Sequence, residues 1–368
     1  MSLLEEASPE VQRLALAAVR EWKALEFDAG FGWISGPAEY QGRGLPRVYE
    51  RHYQQLKRGF ATPPETSLGV SLGMVAPTVL AYGSSVVKQR YLARLHRVEL
   101  VACQLFSEPA AGSDLAGIQT KAVRDGDSWL ISGQKVWTSG AQFSDVGEVI
   151  CRTDPTAPKH AGITAFLIDM HAPGVDVRPL RQMTGGAAFN EVFLDEVRVP
   201  DDHRLGDVGG GWRVAISTLM SERESIGGGG AAGGGGSGFA RVQQLATWAG
   251  RAADPLIRQA LADLYIGMTV ARHTNRFMQS RVVAGRPNGA EGSIGKLMLT
   301  ANQRRVSDLA GLLLGPRLVA DTGEWGTYAW AEYVLSAPGV RIAGGTDEIQ
   351  KNVIAERALG LPKDRSAE

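Results

Sequence analysis

Several things are scarce or missing in these 368 residues, and each absence removes a class of function. There are two cysteines, Cys103 and Cys151. That is too few for a disulfide scaffold, and their spacing suits no metal motif, so a reducing compartment fits best. Charge of one sign is not in surplus: 39 Lys+Arg face 39 Asp+Glu. A neutral balance argues against a nucleic-acid binder working by phosphate neutralisation and against a polybasic membrane anchor. No apolar run approaches the ~18 residues of a membrane span. Met1-Ser2-Leu3-Leu4-Glu5-Glu6 lacks the basic and apolar regions of a signal peptide. Six histidines (His52, His96, His160, His171, His203, His273) form no pair at ligand spacing, so no metal site is expected. With 44% hydrophobic and 21% charged residues, the remaining reading is a folded, cytoplasmic protein of two or three domains.

The hydrophobic period changes twice along the chain. From Pro9, the residues Val11, Leu14, Ala15, Ala18, Val19 and Trp22 recur at helical spacing. Helical patterns resume at Val75–Tyr82 and Val86–Leu95 after a glycine-rich turn. Between residues 100 and 205 the pattern shortens to strands. Thr120–Val123 and Trp129–Ser132 flank an Asp125-Gly126 hairpin signal, and β-rich runs follow at Val149–Thr153, Ile163–Asp169, Val175–Val177 and Glu191–Val199. Helical runs return at Ala260–Arg276, Lys296–Leu314 and Gln350–Leu359. The expected fold is therefore α+β and multidomain: an N-terminal helical domain (1–99), a central antiparallel β-barrel-like domain (100–205) and a C-terminal helical bundle (206–368). The tract Gly227–Gly238 matches G-x-G-x-x-G, but it follows a helical pattern rather than a strand. It reads as a connector or lid and not as a dinucleotide fingerprint.

Four motifs stand in order. Residues 103–114 read Cys-Gln-Leu-Phe-Ser-Glu-Pro-Ala-Ala-Gly-Ser-Asp, and residues 133–140 read Gly-Gln-Lys-Val-Trp-Thr-Ser-Gly. Residues 193–200 read Phe-Leu-Asp-Glu-Val-Arg-Val-Pro, and residues 344–352 read Gly-Gly-Thr-Asp-Glu-Ile-Gln-Lys-Asn. With these motifs the chain resembles the acyl-CoA dehydrogenase family of flavoenzymes, over nearly its whole length. A flavin needs hydrogen bonds at its ring edge, an aromatic neighbour and donors for its pyrophosphate, and the first two motifs offer them. The resemblance implies FAD as cofactor, with Phe106, Ser107, Trp137 and Ser139 at the isoalloxazine. It puts Gly112 and Ser113 by the pyrophosphate and the pantetheine path, and Thr346 and Gln350 near a partner subunit's flavin. Ser107 and Ser113 lack a nucleophile-elbow context, so a hydrolase reading fails.

Family members take the α-proton of an acyl-CoA with a glutamate, a carboxylate whose pKa rises on desolvation. Many carry it directly before the Gly-Thr of the last motif, where this chain has Gly344. Others carry it on the first helix after the strands, in a Leu-x-x-Glu-Arg pattern. Leu219-Met220-Ser221-Glu222-Arg223 stands there. The resemblance thus assigns Glu222 as base and Arg223 as a CoA contact; Glu224, about 200° further round the helix, is the rival. Gly344 also clears volume beside the acyl chain, which points to a bulky or branched acyl group.

Two family elements are degraded. Arg251-Ala252-Ala253-Asp254-Pro255 replaces an Arg-x-x-Phe-Gly pattern, and Gly311-Leu312-Leu313-Leu314-Gly315-Pro316 replaces a Gln-x-x-Gly-Gly pattern. Both reach a neighbour's flavin in the family's tetramers. A heterotetramer with a paralogous subunit is expected, the competing account being a homo-oligomer in which Arg251 or Arg241 does the same work. Electrons would pass to an electron-transfer flavoprotein. An acyl-CoA oxidase on the same fold and a non-catalytic structural subunit are the rival functions.

Overall fold

The structure, a computed structural model, describes residues 8–227, 237–284, 289–320, 322–327 and 329–363, without the side chains of 9, 222–227, 237, 282, 283 and 329. Most of the glycine tract at 227–238 lies outside them. Four helices come first: α1 (Pro9–Asp28), α2 (Arg47–Lys57), α3 (Ala76–Tyr82) and α4 (Ser85–His96). Ser8 and Ser84 cap α1 and α4 by accepting from the amides of Val11 and Val87, as short hydroxyl side chains at this position do. Eight strands follow: β1 (Ala102–Leu105), β2 (Lys121–Asp125), β3 (Ser128–Ser139), β4 (Val146–Arg152), β5 (Ile163–Asp169), β6 (Val175–Leu180), β7 (Phe189–Pro200) and β8 (Arg204–Leu205). Among the described residues six α-helices follow the strands: α5 (Gly211–Gly227), α6 (Ser237–Trp248), α7 (Pro255–Val283), α8 (Gly292–Leu314), α9 (Ala329–Val340) and α10 (Asp347–Val353).

The strands form one sheet in the order β6-β7-β3-β2-β4-β5-β8, with β1 on β4. The Asp125-Gly126 signal closes the β2–β3 hairpin, Gly126 adopting φ +63°. The sheet is not wholly antiparallel, as the short, turn-separated runs had predicted. β1 and β2 both pair parallel to β4. A short strand that enters from helical chain can join an existing edge in either direction.

Strands β4 and β5 are buried on both faces. Val146, Ile150, Ile163, Ala165 and Leu167 pack with α3, α4 and α5 residues such as Val79, Leu92, Val214 and Ala215. Val149, Cys151, Phe166 and Ile168 point the other way, to Ile131, Val192, Leu194 and Val197 of β3 and β7. The period-2 alternation thus feeds two cores, one under the helices and one inside the curled sheet. These elements form one compact unit, residues 7–182 and 186–222; residues 223–368 form the core of a second. In the second, Val242, Leu245, Leu264, Val306, Leu309, Leu313 and Trp330 of α6–α9 build a helical core. Helices α2 and α9, which the periodicity did not announce, are respectively a strongly charged surface helix and one that carries Pro338.

Candidate active site

A turn and a bulge are held side by side on the sheet. The turn, residues 106–113, closes on itself through paired amides and carbonyls of Glu108 and Ala111 (3.0 Å each). It is tied to β3 by the Val136 amide donating to the Ser107 carbonyl at 2.9 Å. The bulge lies one residue further along β3. Lys135 faces Val192 and Thr138 faces Asn190, so three steps on β3 oppose two on β7. The extra residue is Trp137, at φ +61°. That is a rare conformation for a bulky side chain, one that persists only where its surroundings enforce it. Its ring is 56% exposed, touching Phe189 edge-on at 5.8 Å. Beside it, Ser139 is exposed and Thr138 is buried with its hydroxyl unpartnered.

The enforcement comes from two residues the sequence reading left unassigned. Lys135 is fully buried, donating to Glu108 Oε1 (2.8 Å) and to the carbonyls of Ile150 (2.9 Å) and Phe106 (3.1 Å). Glu108 also accepts from the amides of Gln119 (2.6 Å) and Thr120 (2.9 Å). All three Lys135 protons are used, and the carboxylate accepts three hydrogen bonds. Burial works against the Glu108 charge, yet the Lys135 ammonium and these hydrogen bonds hold its pKa below the usual carboxylate range. Burial draws the Lys135 pKa down, with Glu108 opposing. A lysine two positions before an exposed tryptophan, and a glutamate inside a Ser-x-Pro turn, were the available signals.

Of the expected site residues, Ser107 is half-buried, while Gly112 and Ser113 are exposed on the turn. The Phe106 side chain is only 4% exposed and packs into the helix-side core. Helix α5 carries positions 222 and 223, but those side chains lie outside the described residues. In the second unit, Gly344 and Gly345 take φ +65° and +90°. Gln350 is fully buried behind them, donating to the Gly344 carbonyl at 2.7 Å, and its Oε1 has no partner. Lys296, also buried, donates to the Gly345 carbonyl at 2.6 Å. Thr346 caps α10 by accepting from the Ile349 amide at 3.1 Å. Gln350 thus braces the glycine turn through its side-chain amide. Arg251 is committed as well, to the Leu312 carbonyl and the Asp254 carboxylate, both at 2.6 Å.

Residues 103–197 match the acyl-CoA dehydrogenase middle domain, and residues 209–359 match the acyl-CoA dehydrogenase C-terminal domain. The chain belongs to the acyl-CoA dehydrogenase family. Among acyl-CoA dehydrogenases, IpdE1 of Mycobacterium tuberculosis is 36% identical over 347 residues, 94% of this chain and 88% of that protein. The solved Tcur3481-Tcur3483 steroid acyl-CoA dehydrogenase superposes with a TM-score of 0.77 at 28% identity, covering 96% of this chain and 93% of that one. The ChsE4-ChsE5 complex from Mycobacterium tuberculosis gives 0.77 at 27% identity, over 97% and 94%. The chain is accordingly an oxidoreductase of the acyl-CoA dehydrogenase type. Among the described residues no helix is long and apolar enough to cross a membrane, and no cluster of potential ligands could hold a metal.

Proposed function

We propose that the protein is an FAD-dependent acyl-CoA dehydrogenase that introduces a 2,3-double bond into a bulky, ring-bearing acyl group. The observation that carries this is Trp137, an exposed indole at a strained φ two residues from a buried ion pair, in a chain of this family. An exposed indole, the hydroxyls of Ser107 and Ser139 beside it and an unpaired buried Thr138 hydroxyl suit a planar ring with polar edges. Trp137 and the Ser107 turn would flank the flavin ring, with Gly112 and Ser113 toward its pyrophosphate and the pantetheine arm. Thr346 would serve the flavin of a neighbouring subunit, and Gln350 would keep its loop in shape. When bound, FAD supplies the hydride acceptor for the β-hydrogen.

The chain's own contribution is proton removal and orientation. Glu222 takes the α-proton as its carboxylate is desolvated by the entering thioester, and Arg223 holds the CoA moiety. A ring-bearing substrate agrees with the missing side chain at Gly344, and the likeness to the Tcur3481-Tcur3483 steroid acyl-CoA dehydrogenase points the same way. The partner would be a paralogous chain, and the acceptor of the electrons an electron-transfer flavoprotein. Two solved neighbours are complexes of two differently named chains. Arg251 being tied to Leu312 and Asp254 counts against its reaching a neighbour.

Anaerobic reduction of the flavin with a panel of acyl-CoAs tests the reading. Polycyclic acyl-CoAs should outrun straight medium chains in kcat/KM. Glu222→Gln should bind acyl-CoA yet reduce flavin about 10²–10⁴-fold more slowly. A preference for linear chains removes the substrate assignment. Rapid reduction by Glu222→Gln, with Glu224→Gln impaired, moves the base two residues on.

A further inference from the structure

Glu148 lies mid-strand in β4 on the face turned to the helices, and it is fully buried. Its Oε1 is 2.7 Å from Thr218 Oγ1 on α5. That hydroxyl is 2.8 Å from Thr78 Oγ1 on α3, which in turn is 2.9 Å from the Met74 carbonyl oxygen. Three oxygen–oxygen contacts this short are three hydrogen bonds, and each needs a proton between its atoms. The two threonine hydroxyls supply one each. A carbonyl supplies none, and neither does an ionised carboxylate. With Glu148 ionised, one contact would press two lone pairs together below 3 Å. Thr218 has a longer option, the Val214 carbonyl at 3.2 Å, but using it would strip a proton from the chain. A proton on Glu148 completes the set, with Thr218 accepting from it and donating onward.

The hydrogen bonds then run one way: Glu148 to Thr218, Thr218 to Thr78, Thr78 to Met74. Glu148 Oε2, which has no partner, becomes the carbonyl oxygen of a neutral acid, far cheaper to leave bare than a carboxylate oxygen. The strand neighbours of Glu148 are Gln104 on β1 and Leu167 on β5, neither charged. The titratable side chains of the surrounding core are Tyr40, Tyr82 and Tyr91, with His96 stacked on Trp33 at 4.0 Å and His203 against Tyr91. Burial keeps His96 neutral, its pKa down at about 3, and draws His203 down too. Among the described residues no cation contacts Glu148. Burial pushes its pKa up to about 8, opposed only by Thr218.

We propose that Glu148 is a positioning residue acting as a neutral carboxylic acid, whose proton heads a one-way hydrogen-bond chain clamping α5 to the sheet. Thr218 precedes Glu222 by four residues, so the clamp sits one turn away on the same face of α5. Its functional consequence rests on the assignment of Glu222 as base. Loss of the Glu148 proton leaves one contact without a hydrogen bond and loosens the helix at the turn that presents position 222.

Infrared difference spectra of the flavin-loaded assembly, wild type against Glu148→Gln, test the proton directly. A carboxylic-acid C=O band at pH 7 should vanish in the variant and, in wild type, fade above about pH 8. The kcat for flavin reduction should fall above that pH in wild type while KM holds. Glu148→Gln should lose this alkaline limb, because its amide donates to Thr218 in the same direction and has no proton to lose. As a second variant, Thr218→Val should raise amide exchange along 211–221 by about threefold to tenfold, the worth of one buried hydrogen bond. No acid band at pH 7, an alkaline limb that persists in Glu148→Gln, or unchanged exchange in Thr218→Val would each overturn the proposal. The infrared and exchange readings do not depend on which group takes the α-proton, so a failed Glu222 assignment is told apart from a failed clamp.

Discussion

Lys135 is the residue on which the candidate site's shape depends most. Its ammonium joins the 106–113 turn, β3 and β4 through three hydrogen bonds, with no exposed surface. Lys135→Met strands Glu108 as a buried charge and should cost about 3–5 kcal/mol in urea unfolding. Adding Glu108→Leu removes the stranded charge but leaves the Gln119 and Thr120 amides unpaired, so it should recover only part of that stability and not flavin binding. His96 gives a separate handle on pH. Stacked on Trp33 and half-buried, it has its pKa drawn down by desolvation to about 3 when folded, against 6.5 when unfolded. Between those values the unfolded chain binds the extra proton, so this contribution to stability is whole above pH 6.5 and is lost as pH falls toward 3. The Tm of wild type should therefore drop more steeply from pH 6.5 to 5 than that of His96→Phe, measured by scanning calorimetry. Parallel curves would mean the ring is not buried neutral.

The β3 bulge shows an element carrying strain where the ligand would lie. A tryptophan at φ +61° costs about 1–3 kcal/mol, and more than half of its side chain is left exposed rather than packed. Trp137→Gly removes the strain, because glycine enters the left-handed region freely. The variant's Tm without flavin should be unchanged or higher than wild type. Its FAD affinity, by fluorescence titration of the assembled protein, should be weaker by about tenfold or more, about 1.4 kcal/mol. A variant both less stable and equally tight for FAD would mean that Trp137 is held for packing. The C-terminal glycine turn is handled differently. Gln350 and Lys296 brace Gly344 and Gly345 from within, so the positive φ values there are held by buried hydrogen bonds.

At the scale of the whole molecule, the uneven motif set becomes a stoichiometry. The 106–113 turn and the Trp137 bulge, proposed to flank the flavin, are well formed on the sheet, while Arg251 is spent inside its own subunit. Expressed alone, the chain should hold well under one FAD per subunit. Co-expressed with a paralogous acyl-CoA dehydrogenase subunit, it should give a tetramer with one FAD per two chains. Absorbance at the flavin band with mass by light scattering measures both. A fully active homotetramer with one FAD per chain would refute the heteromer.

The sequence by itself determined the block order and the family. Hydrophobic period, the Asp125-Gly126 turn and four ordered motifs are local signals, and a local signal survives without knowledge of the fold. It also shows glycine at position 344 and a glutamate, Glu222, in a Leu-x-x-Glu-Arg pattern after the strands, since both are matters of residue identity at a position. The parallel pairing of β1 and β2 with β4 was illegible, because it depends on which strand edges meet after the sheet curls. The buried side of Phe106, the inward turn of Gln350 and the Lys135–Glu108 pair were equally hidden, 27 residues separating the last two. Glu148 is the clearest case. In the sequence it is one acid among apolar strand residues. Only the meeting of β4, α5 and α3 around it, 70 residues from Thr218 and a further 140 from Thr218 to Thr78, shows the hydrogen-bond chain that a proton on it completes.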